Sequence, residues 1–222
     1  MANDKRLYDI FEAASRLFIL KGYNETQIVD IAKAASISTG ALYNLFTSKK
    51  AVFHFTLKCI FDQDYLSQDI TIPVNEMEPS VLESVTKNVV KNYLQFNLAD
   101  IELAQLPPFE EMLAKSYDLL SKFGPGFLIF ERNQAAWPKL SSDYFRGRLR
   151  YFENLNRCIK AYIQKGEIRQ LEHPEYHMRL IIETLAMWSV HRKYSPEGIN
   201  TSDSIAKDVA LDALVHAYAT KI

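Results

Sequence analysis

Four polar positions close to the N-terminus have the residue types and the spacing needed to bind nucleic acid. In the stretch "TGALYN", Thr39 lies four residues before Tyr43, and Gly40 lies four residues before Asn44. Residues four apart share one face of a helix, so a hydroxyl, a bare backbone, a phenol and an amide lie together. Such a face can enter the DNA major groove and hydrogen-bond to base edges. It contains no large aliphatic side chain that requires burial within the chain.

The apolar residues around this face predict two short helices that position it. They recur at helical spacing in "TQIVDIAKAASISTGALYNLF", as one stripe before the "SIS" interruption and a second after it: Ile28, Ile31, Ala32 and Ala35, then Leu42 and Phe46. The small alanines allow two helices to cross closely at a steep angle. The pattern therefore predicts a helix-turn-helix, whose second helix lies in the major groove.

Three residues at predicted helix starts are suited to binding the DNA backbone. Thr26 and Ser38 are expected to cap the two short helices, and Lys49 opens a longer helix capped by Ser48. Free N–H groups at a helix start, with a hydroxyl or an ammonium, suit phosphate oxygens. The net charge of the chain is −1, but residues 1–60 carry eight Lys and Arg against five Asp and Glu. This local balance favours an anionic partner for the first segment.

The same stretch resembles the DNA-binding domain of the TetR family of bacterial transcriptional regulators. The resemblance rests on many positions in one register: Thr26, Ile31-Ala32, Ala35, Ser38, Gly40, Tyr43, Phe46 and Lys49. It implies that Thr39, Gly40, Tyr43 and Asn44 enter the groove, and that Thr26, Ser38 and Lys49 contact the backbone. The sequence departs from the family at Ser36, where Gly is frequent in the turn. It departs again at Leu45, where many members carry His or Tyr.

The whole chain is predicted to be all-α, because helical periodicity is widespread and glycine is scarce. We expect a three-helix DNA-binding domain at residues 1–48, with a connecting helix to about residue 69. A larger helical effector-binding and dimerisation domain should fill residues 70–222. Gly22 is expected to end the first helix, and Gly124-Pro125-Gly126 to separate two helices. Another helix is predicted at about residues 80–98.

Binding a palindrome requires two reading helices about 34–36 Å apart, and so predicts a homodimer on a double-stranded operator. The last two predicted helices each carry a long apolar stripe that suits a four-helix interface, where the family also usually dimerises. The candidate interface residues are Ile181, Leu185, Val209, Leu214 and Tyr218.

The middle of the chain is rich in aromatic residues, with eleven between positions 109 and 162. Such a concentration can form ordinary core or the wall of an apolar ligand cavity. By resemblance to the family, we expect a small apolar or aromatic effector that releases the protein, as a repressor, from DNA. The candidate lining residues are Tyr117, Trp137, Tyr151, Trp188 and His191.

Other classes of protein are less well supported by the residues. The sequence has no Gly-rich phosphate loop, nucleophile elbow or paired-carboxylate signature, so we expect neither an enzyme nor a cofactor. A metal site at His173 and His177 is not expected, because Pro174 puts the first of them at a helix start. Cys59 and Cys158 are interpreted as buried thiols, and a charged N-terminus indicates a cytoplasmic protein. The alternative function is a helical ligand-binding protein whose helix-turn-helix no longer binds DNA.

Overall fold

The computed structural model describes residues 5–78, 80, 81, 84, 106–195 and 201–220, whose regular secondary structure is helical. The helices are α1 (Lys5–Leu20), α2 (Ile28–Ala34), α3 (Thr39–Leu45), α4 (Lys49–Phe61), α5 (Phe109–Arg132), α6 (Pro138–Gln164), α7 (Pro174–Ala186) and α8 (Asp203–Tyr218). A π-helical turn, Met187–His191, and a short helical turn, Arg192–Tyr194, extend α7. A 3₁₀ turn covers Tyr65–Ser67. Within these ranges, β-structure is limited to two isolated bridges, Phe46 with Val74 and Ile168 with Ala219. The predicted all-α class is confirmed, while the helix predicted at about 80–98 lies largely outside the described residues.

The chain divides into two compact units. The first comprises Met1–Val90 with Pro125–Tyr144, and the second comprises Lys91–Gly124 with Phe145–Ile222. The end of α5 and the start of α6 therefore group with the N-terminal helices, although the sequence assigned them to the effector domain.

The first unit is built around the helix-turn-helix. The apolar stripes predicted for α2 and α3 are buried, and they pack with apolar residues of α1 and α4, including Ile10, Phe18, Phe53 and Phe55. Gly22 has φ +88°, so it ends α1 in the left-handed conformation, as predicted. The buried Asn133 side chain ties the end of α5 to α1, because its amide group donates to the Phe18 carbonyl at 3.2 Å.

The predicted break at Gly124-Pro125-Gly126 is wrong, since α5 runs through it. These glycines allow close packing instead of ending a helix. A Cβ on Gly126 would lie 2.4 Å from Phe61 Cζ in the first unit, and a Cβ on Gly124 would lie 2.9 Å from Val190 Cβ in the second. Pro125 removes one backbone donor from the helix interior, and the helix continues past it.

The second unit has one continuous apolar core formed by residues of α5, α6, α7 and α8. Four of the five residues predicted for the dimer interface belong to it: Ile181, Leu185, Leu214 and Tyr218. This prediction is corrected, because a side chain that is buried within one chain offers no surface to a second. Val209 alone of the five is exposed. Cys158 is also part of this core, and burial raises its pKa to about 12.

Candidate nucleic-acid interface

The helix that carries the polar face is α3, and its start is defined by a side-chain cap. Ser38 Oγ accepts a hydrogen bond from the Ala41 N–H at 3.1 Å, which confirms Ser38 as the cap. The turn before it places Ser36 at φ +58°, in the left-handed region where glycine is favoured. The chain therefore adopts the tight turn of a helix-turn-helix despite having a serine there.

The two sides of α3 differ sharply in exposure. Leu42 and Leu45 are buried, whereas Tyr43 keeps 53% of its surface exposed. Gly40 and Asn44 are exposed beside it, and Thr39 is half-exposed. A Cβ on Gly40 would have Ser38 Oγ, 4.0 Å away, as its nearest neighbour, so open space lies in front of this glycine. The structure therefore brings the four predicted groove residues together on one accessible face.

Leu45, the departure from the family pattern, is a core residue of the first unit. Its side chain faces inward, and its carbonyl accepts a hydrogen bond from the Val74 N–H at 2.8 Å. A buried leucine at this position leaves the exposed face unchanged. It is therefore no sign that the helix-turn-helix has degenerated.

Thr26 does not have the predicted role. The residue that caps α2 is Gln27, and the Asp30 carboxylate accepts a hydrogen bond from its N–H at 3.3 Å. The Thr26 hydroxyl is completely buried and donates to the Gly22 carbonyl at 2.7 Å. A hydroxyl without accessible surface cannot reach a phosphate, so Thr26 stabilises the α1–α2 loop instead.

Lys49 is also engaged with this loop. Its Nζ donates to the carbonyl oxygens of Tyr23 at 2.9 Å and Thr26 at 3.0 Å. The same Nζ lies 4.3 Å from the centre of the Tyr23 ring, within range of a cation–π interaction. Two of the three ammonium donors therefore connect α4 to the loop between α1 and α2, which leaves one for a phosphate.

A segment that the sequence did not associate with this site contacts the end of α3 and the start of α4. We call residues 72–77 the return segment. Val74 forms a parallel bridge with Phe46, and Glu76 Oε1 accepts a hydrogen bond from Ser48 Oγ at 2.7 Å. Lys50 Nζ lies 3.0 Å from Glu76 Oε2. Local spacing in the sequence carries no signal for a contact between residues so far apart.

His54 holds the far end of the return segment. Its Nδ1 accepts a hydrogen bond from the Met77 N–H at 2.9 Å, so this nitrogen is unprotonated. The ring is buried and packs against Phe53 and Trp137. Burial and the nearby Lys50 lower the pKa of His54 to about 4, opposed by Glu76. The histidine is therefore neutral near pH 7.

The five predicted effector residues do not form one group. Tyr117 and Tyr151 are packed in the core of the second unit, with Trp188 partly buried against it. Trp137 belongs to the first unit, where it stacks on Phe53 with ring centres 4.9 Å apart. His191 is exposed. Much of the aromatic excess is thus ordinary core in both units.

The described residues form neither a metal-binding cluster nor a membrane span. Among the residues the structure describes, no cluster of three or more His, Cys, Asp or Glu could hold a metal ion. His177 Nδ1 lies 3.0 Å from the Tyr218 hydroxyl, whereas the His173 ring contacts Tyr176. Over the same described ranges, none of the helices has the length and apolarity of a membrane span.

The family model described as "Bacterial regulatory proteins, tetR family" matches residues 10–54. These residues cover α1 from Ile10 onward, α2, α3 and the first part of α4, so the match includes the whole exposed face. Two curated regulators are similar over part of the chain. IcaR of Staphylococcus aureus, a negative transcriptional regulator of the icaADBC biofilm operon, is 39% identical over 72 residues, which is 32% of this chain and 38% of IcaR. HbdR of Aromatoleum sp. is 39% identical over 59 residues, 27% of this chain and 26% of HbdR.

One solved structure is similar over the full length. The ketosteroid transcriptional regulator KstR2 of Mycobacterium tuberculosis superposes with a TM-score of 0.56, covering 100% of this chain and 98% of KstR2, at 16% identity. At that identity the likeness shows the fold, and the match to the curated relatives spans less than two fifths of their length. The helix-turn-helix region of the chain therefore matches the TetR family of bacterial regulatory proteins, and the likeness to KstR2 shows that the whole chain shares its fold.

Proposed function

We propose that this protein is a DNA-binding transcriptional regulator of the cytoplasm, a repressor that binds its operator through α3. The observation that carries the proposal is the exposed polar face of α3, opposite the buried Leu42 and Leu45. Thr39, Gly40, Tyr43 and Asn44 supply hydrogen-bonding groups and a close backbone approach, both of which suit a major groove. The repressor role is consistent with IcaR, which is named as a negative regulator.

Fewer residues are proposed to contact the DNA backbone than the sequence suggested. Ser38 is exposed at the start of α3 and remains a proposed phosphate contact. Thr26 is left out because its hydroxyl is buried, and Lys49 is assigned mainly to bracing the α1–α2 loop. These roles keep the reading residues on a rigid support, as specific recognition requires.

Tyr43 and Tyr8 provide a matched test of the exposed face. Both tyrosines are exposed in the first unit, at 53% and 55%, but Tyr8 lies on α1. Fluorescence anisotropy should be measured against DNA upstream of the protein's own gene and against a scrambled duplex. We expect Tyr43→Ala to lose the preference for the upstream DNA and Tyr8→Ala to retain it. Equal loss in both variants, or no salt-dependent binding by the wild type, would contradict the proposal.

We further propose a homodimer formed by an exposed apolar face on the last two helices. This face lies opposite the core stripe and includes five large exposed side chains: Tyr176, Leu180, Met187, Ile205 and Val209. Large exposed apolar residues on two helices that contact each other suit a protein interaction site. A palindromic operator also requires two copies of α3. This face replaces the buried residues that the sequence indicated.

Oligomeric state measured by sedimentation tests this interface. Leu180→Glu should produce monomers, because it places a charge in an apolar interface. Leu149→Glu is the control, since Leu149 is also exposed in the second unit, at 66%, but lies on α6. A dimer that survives Leu180→Glu, or that Leu149→Glu disrupts equally, would move the interface elsewhere.

A small apolar or aromatic effector remains part of the proposed mechanism. Its candidate residues are now limited to the second unit, where Tyr117, Tyr151 and Trp188 lie in or against one aromatic core. Such an effector would bind more tightly to a dimer whose two α3 helices are wrongly spaced for the operator than to the dimer that fits it. The difference between these two affinities, typically about 1–3 kcal/mol, is the amount by which DNA binding is weakened. Quenching of Trp188 fluorescence that accompanies release from DNA would identify such a compound. If every compound that releases the DNA leaves Trp188 unchanged, the effector site lies elsewhere.

A further inference from the structure

The polar side chains that open α4 are already bound to an anionic group of the chain itself. The Glu76 carboxylate accepts a hydrogen bond from the Ser48 hydroxyl through Oε1, at 2.7 Å. Its other oxygen, Oε2, lies 3.0 Å from Lys50 Nζ. Hydrogen bonds from Ser48 and Lys50 lower the pKa of Glu76, so the carboxylate is ionised near neutral pH. A hydroxyl and an ammonium that converge on two oxygens of one anion also suit a phosphate.

The return segment keeps Glu76 in place through bonds that do not involve its side chain. On one side, the Val74 N–H donates to the Leu45 carbonyl at 2.8 Å, and the Thr47 N–H donates to the Val74 carbonyl at 3.1 Å. On the other side, the Met77 N–H donates to His54 Nδ1 at 2.9 Å. Because anchors flank Glu76 on both sides, its effective concentration at Ser48 and Lys50 is high.

These contacts lie directly beside the proposed reading helix. Helix α3 ends at Leu45, Ser48 caps α4, and Lys50 is in the first turn of α4. In a helix-turn-helix, the residues flanking a helix in the major groove face the phosphate backbone. We propose that Glu76 is a built-in competitor that keeps DNA phosphate from Ser48 and Lys50, and so lowers the affinity for DNA of any sequence. This inference rests on the proposed DNA-binding function.

The competition has a distinct salt signature. While Lys50 stays paired with Glu76, it neutralises no phosphate and releases no cation from DNA. The pair then contributes almost nothing to the salt dependence of binding. Without the carboxylate charge, Lys50 should steepen the slope of log K against log salt by about 0.9. Because phosphate contacts carry no sequence information, random DNA should show the same effect as an operator.

The test compares Glu76→Gln with Glu78→Gln in the full chain. Glutamine at position 76 retains an oxygen that can accept from Ser48 but removes the charge. Glu78 is an exposed carboxylate two residues further along the chain, so its variant makes the same change in net charge. Anisotropy should be measured at several salt concentrations with a labelled random-sequence duplex of about two helical turns. Circular dichroism and thermal unfolding confirm that the variants are folded.

We expect Glu76→Gln to bind the random duplex about two- to fivefold more tightly at low salt, the range for an exposed ion pair. Its salt slope should be steeper by about 0.9, and Glu78→Gln should change both quantities less. Adding Lys50→Gln to Glu76→Gln should abolish the gain, because the freed ammonium is then absent.

Three results would overturn the inference. They are equal effects of the two Gln variants, weaker or unchanged binding by Glu76→Gln, and a gain that survives Lys50→Gln. If the wild type binds DNA with a clear salt dependence, such results refute the competition alone. A wild type and a Glu76→Gln variant that both fail to bind any duplex would refute the DNA-binding function as well.

Discussion

Replacing Gly40 by alanine should separate the stability of the protein from its binding to DNA. Gly40 is the second residue of α3, and a Cβ built there would have its nearest neighbour, Ser38 Oγ, at 4.0 Å. The fold therefore has room for the methyl group. Alanine is favoured over glycine inside a helix by up to about 1 kcal/mol, and near a helix end we expect about 0.5 kcal/mol of stabilisation.

The same methyl group should weaken DNA binding. Gly40 is exposed beside Tyr43 and Asn44 on the proposed reading face, where a bare backbone allows close approach to the groove. An added methyl in a tightly packed contact costs about 1–3 kcal/mol. At about 1.4 kcal/mol per tenfold change in affinity, we expect operator binding to weaken by roughly five- to 150-fold. Stability and affinity should thus change in opposite directions.

Ser36→Gly is the matched control. Ser36 has φ +58°, so glycine removes about 1–2 kcal/mol of left-handed strain and adds about 0.5–1 kcal/mol of chain entropy cost. We expect a net stabilisation of about 0.5 to 1 kcal/mol. The change removes atoms from the same motif and adds none. Ser36→Gly should therefore stabilise the fold and leave operator affinity as it is.

Urea unfolding gives the stability, and anisotropy against operator DNA gives the affinity. Unchanged affinity in Gly40→Ala would remove this glycine from the interface and weaken the assignment of the α3 face. Loss of stability in Gly40→Ala would instead contradict the open space that the structure shows before it. Both variants should be more stable, but only Gly40→Ala adds a methyl group. If operator affinity fell in both, the cause would be the change in stability and not the added methyl.

Three further predictions concern the support of this face. The pKa of His54 is lowered to about 4 in the folded chain, from about 6.5 in the unfolded chain. Protonation of His54 therefore costs no stability above pH 6.5. The free energy of unfolding should fall by up to about 3 kcal/mol as the pH drops from 6.5 to 4. His54→Asn should flatten this part of a pH series of urea unfolding. Gly126→Ala places a Cβ 2.4 Å from Phe61 Cζ and should destabilise the protein by about 1–3 kcal/mol in thermal unfolding, with partial rescue by Phe61→Leu. Lys49→Met removes the ammonium that donates to the Tyr23 carbonyl and should lower the free energy of unfolding by about 2 kcal/mol. The salt slope of DNA binding should change by much less than the value of about 0.9 expected for loss of a phosphate contact.

Local features were predictable because neighbouring residues determine them. The cap at Ser38, the end of α1 at Gly22 and the buried stripes of α2 and α3 all depend on residues within a few positions of one another. The shared face of Thr39, Gly40, Tyr43 and Asn44 follows from helical spacing alone. Spacing also indicated a phosphate role for Thr26, but the residue caps nothing and its hydroxyl is buried. Because Gln27 caps α2 one residue after the expected cap, the Thr26 side chain lies in the core and not at the surface.

The return segment could not be predicted, because its contacts depend on the tertiary fold. Glu76 lies 28 positions from Ser48 in sequence, and Met77 lies 23 positions from His54. Gly126 shows the same limit, since glycine beside proline usually indicates a break. Here the missing Cβ makes room for Phe61. The residues adjacent in sequence indicate neither the contacts of the return segment nor the packing of Gly126 on Phe61.

Four of the five residues predicted for the dimer interface are buried within one chain, for a reason that applies to other helical regulators. A stripe such as Ile181 and Leu185 shows that one side of a helix is buried, but not whether the same chain or a second copy buries it. A surface helix turns its regular apolar stripe to the core of its own chain. In α7 the exposed residues Tyr176 and Leu180 lie outside that stripe. An interface between copies should therefore be sought in the second, less regular set of apolar residues, and Leu180→Glu tests that rule in this protein.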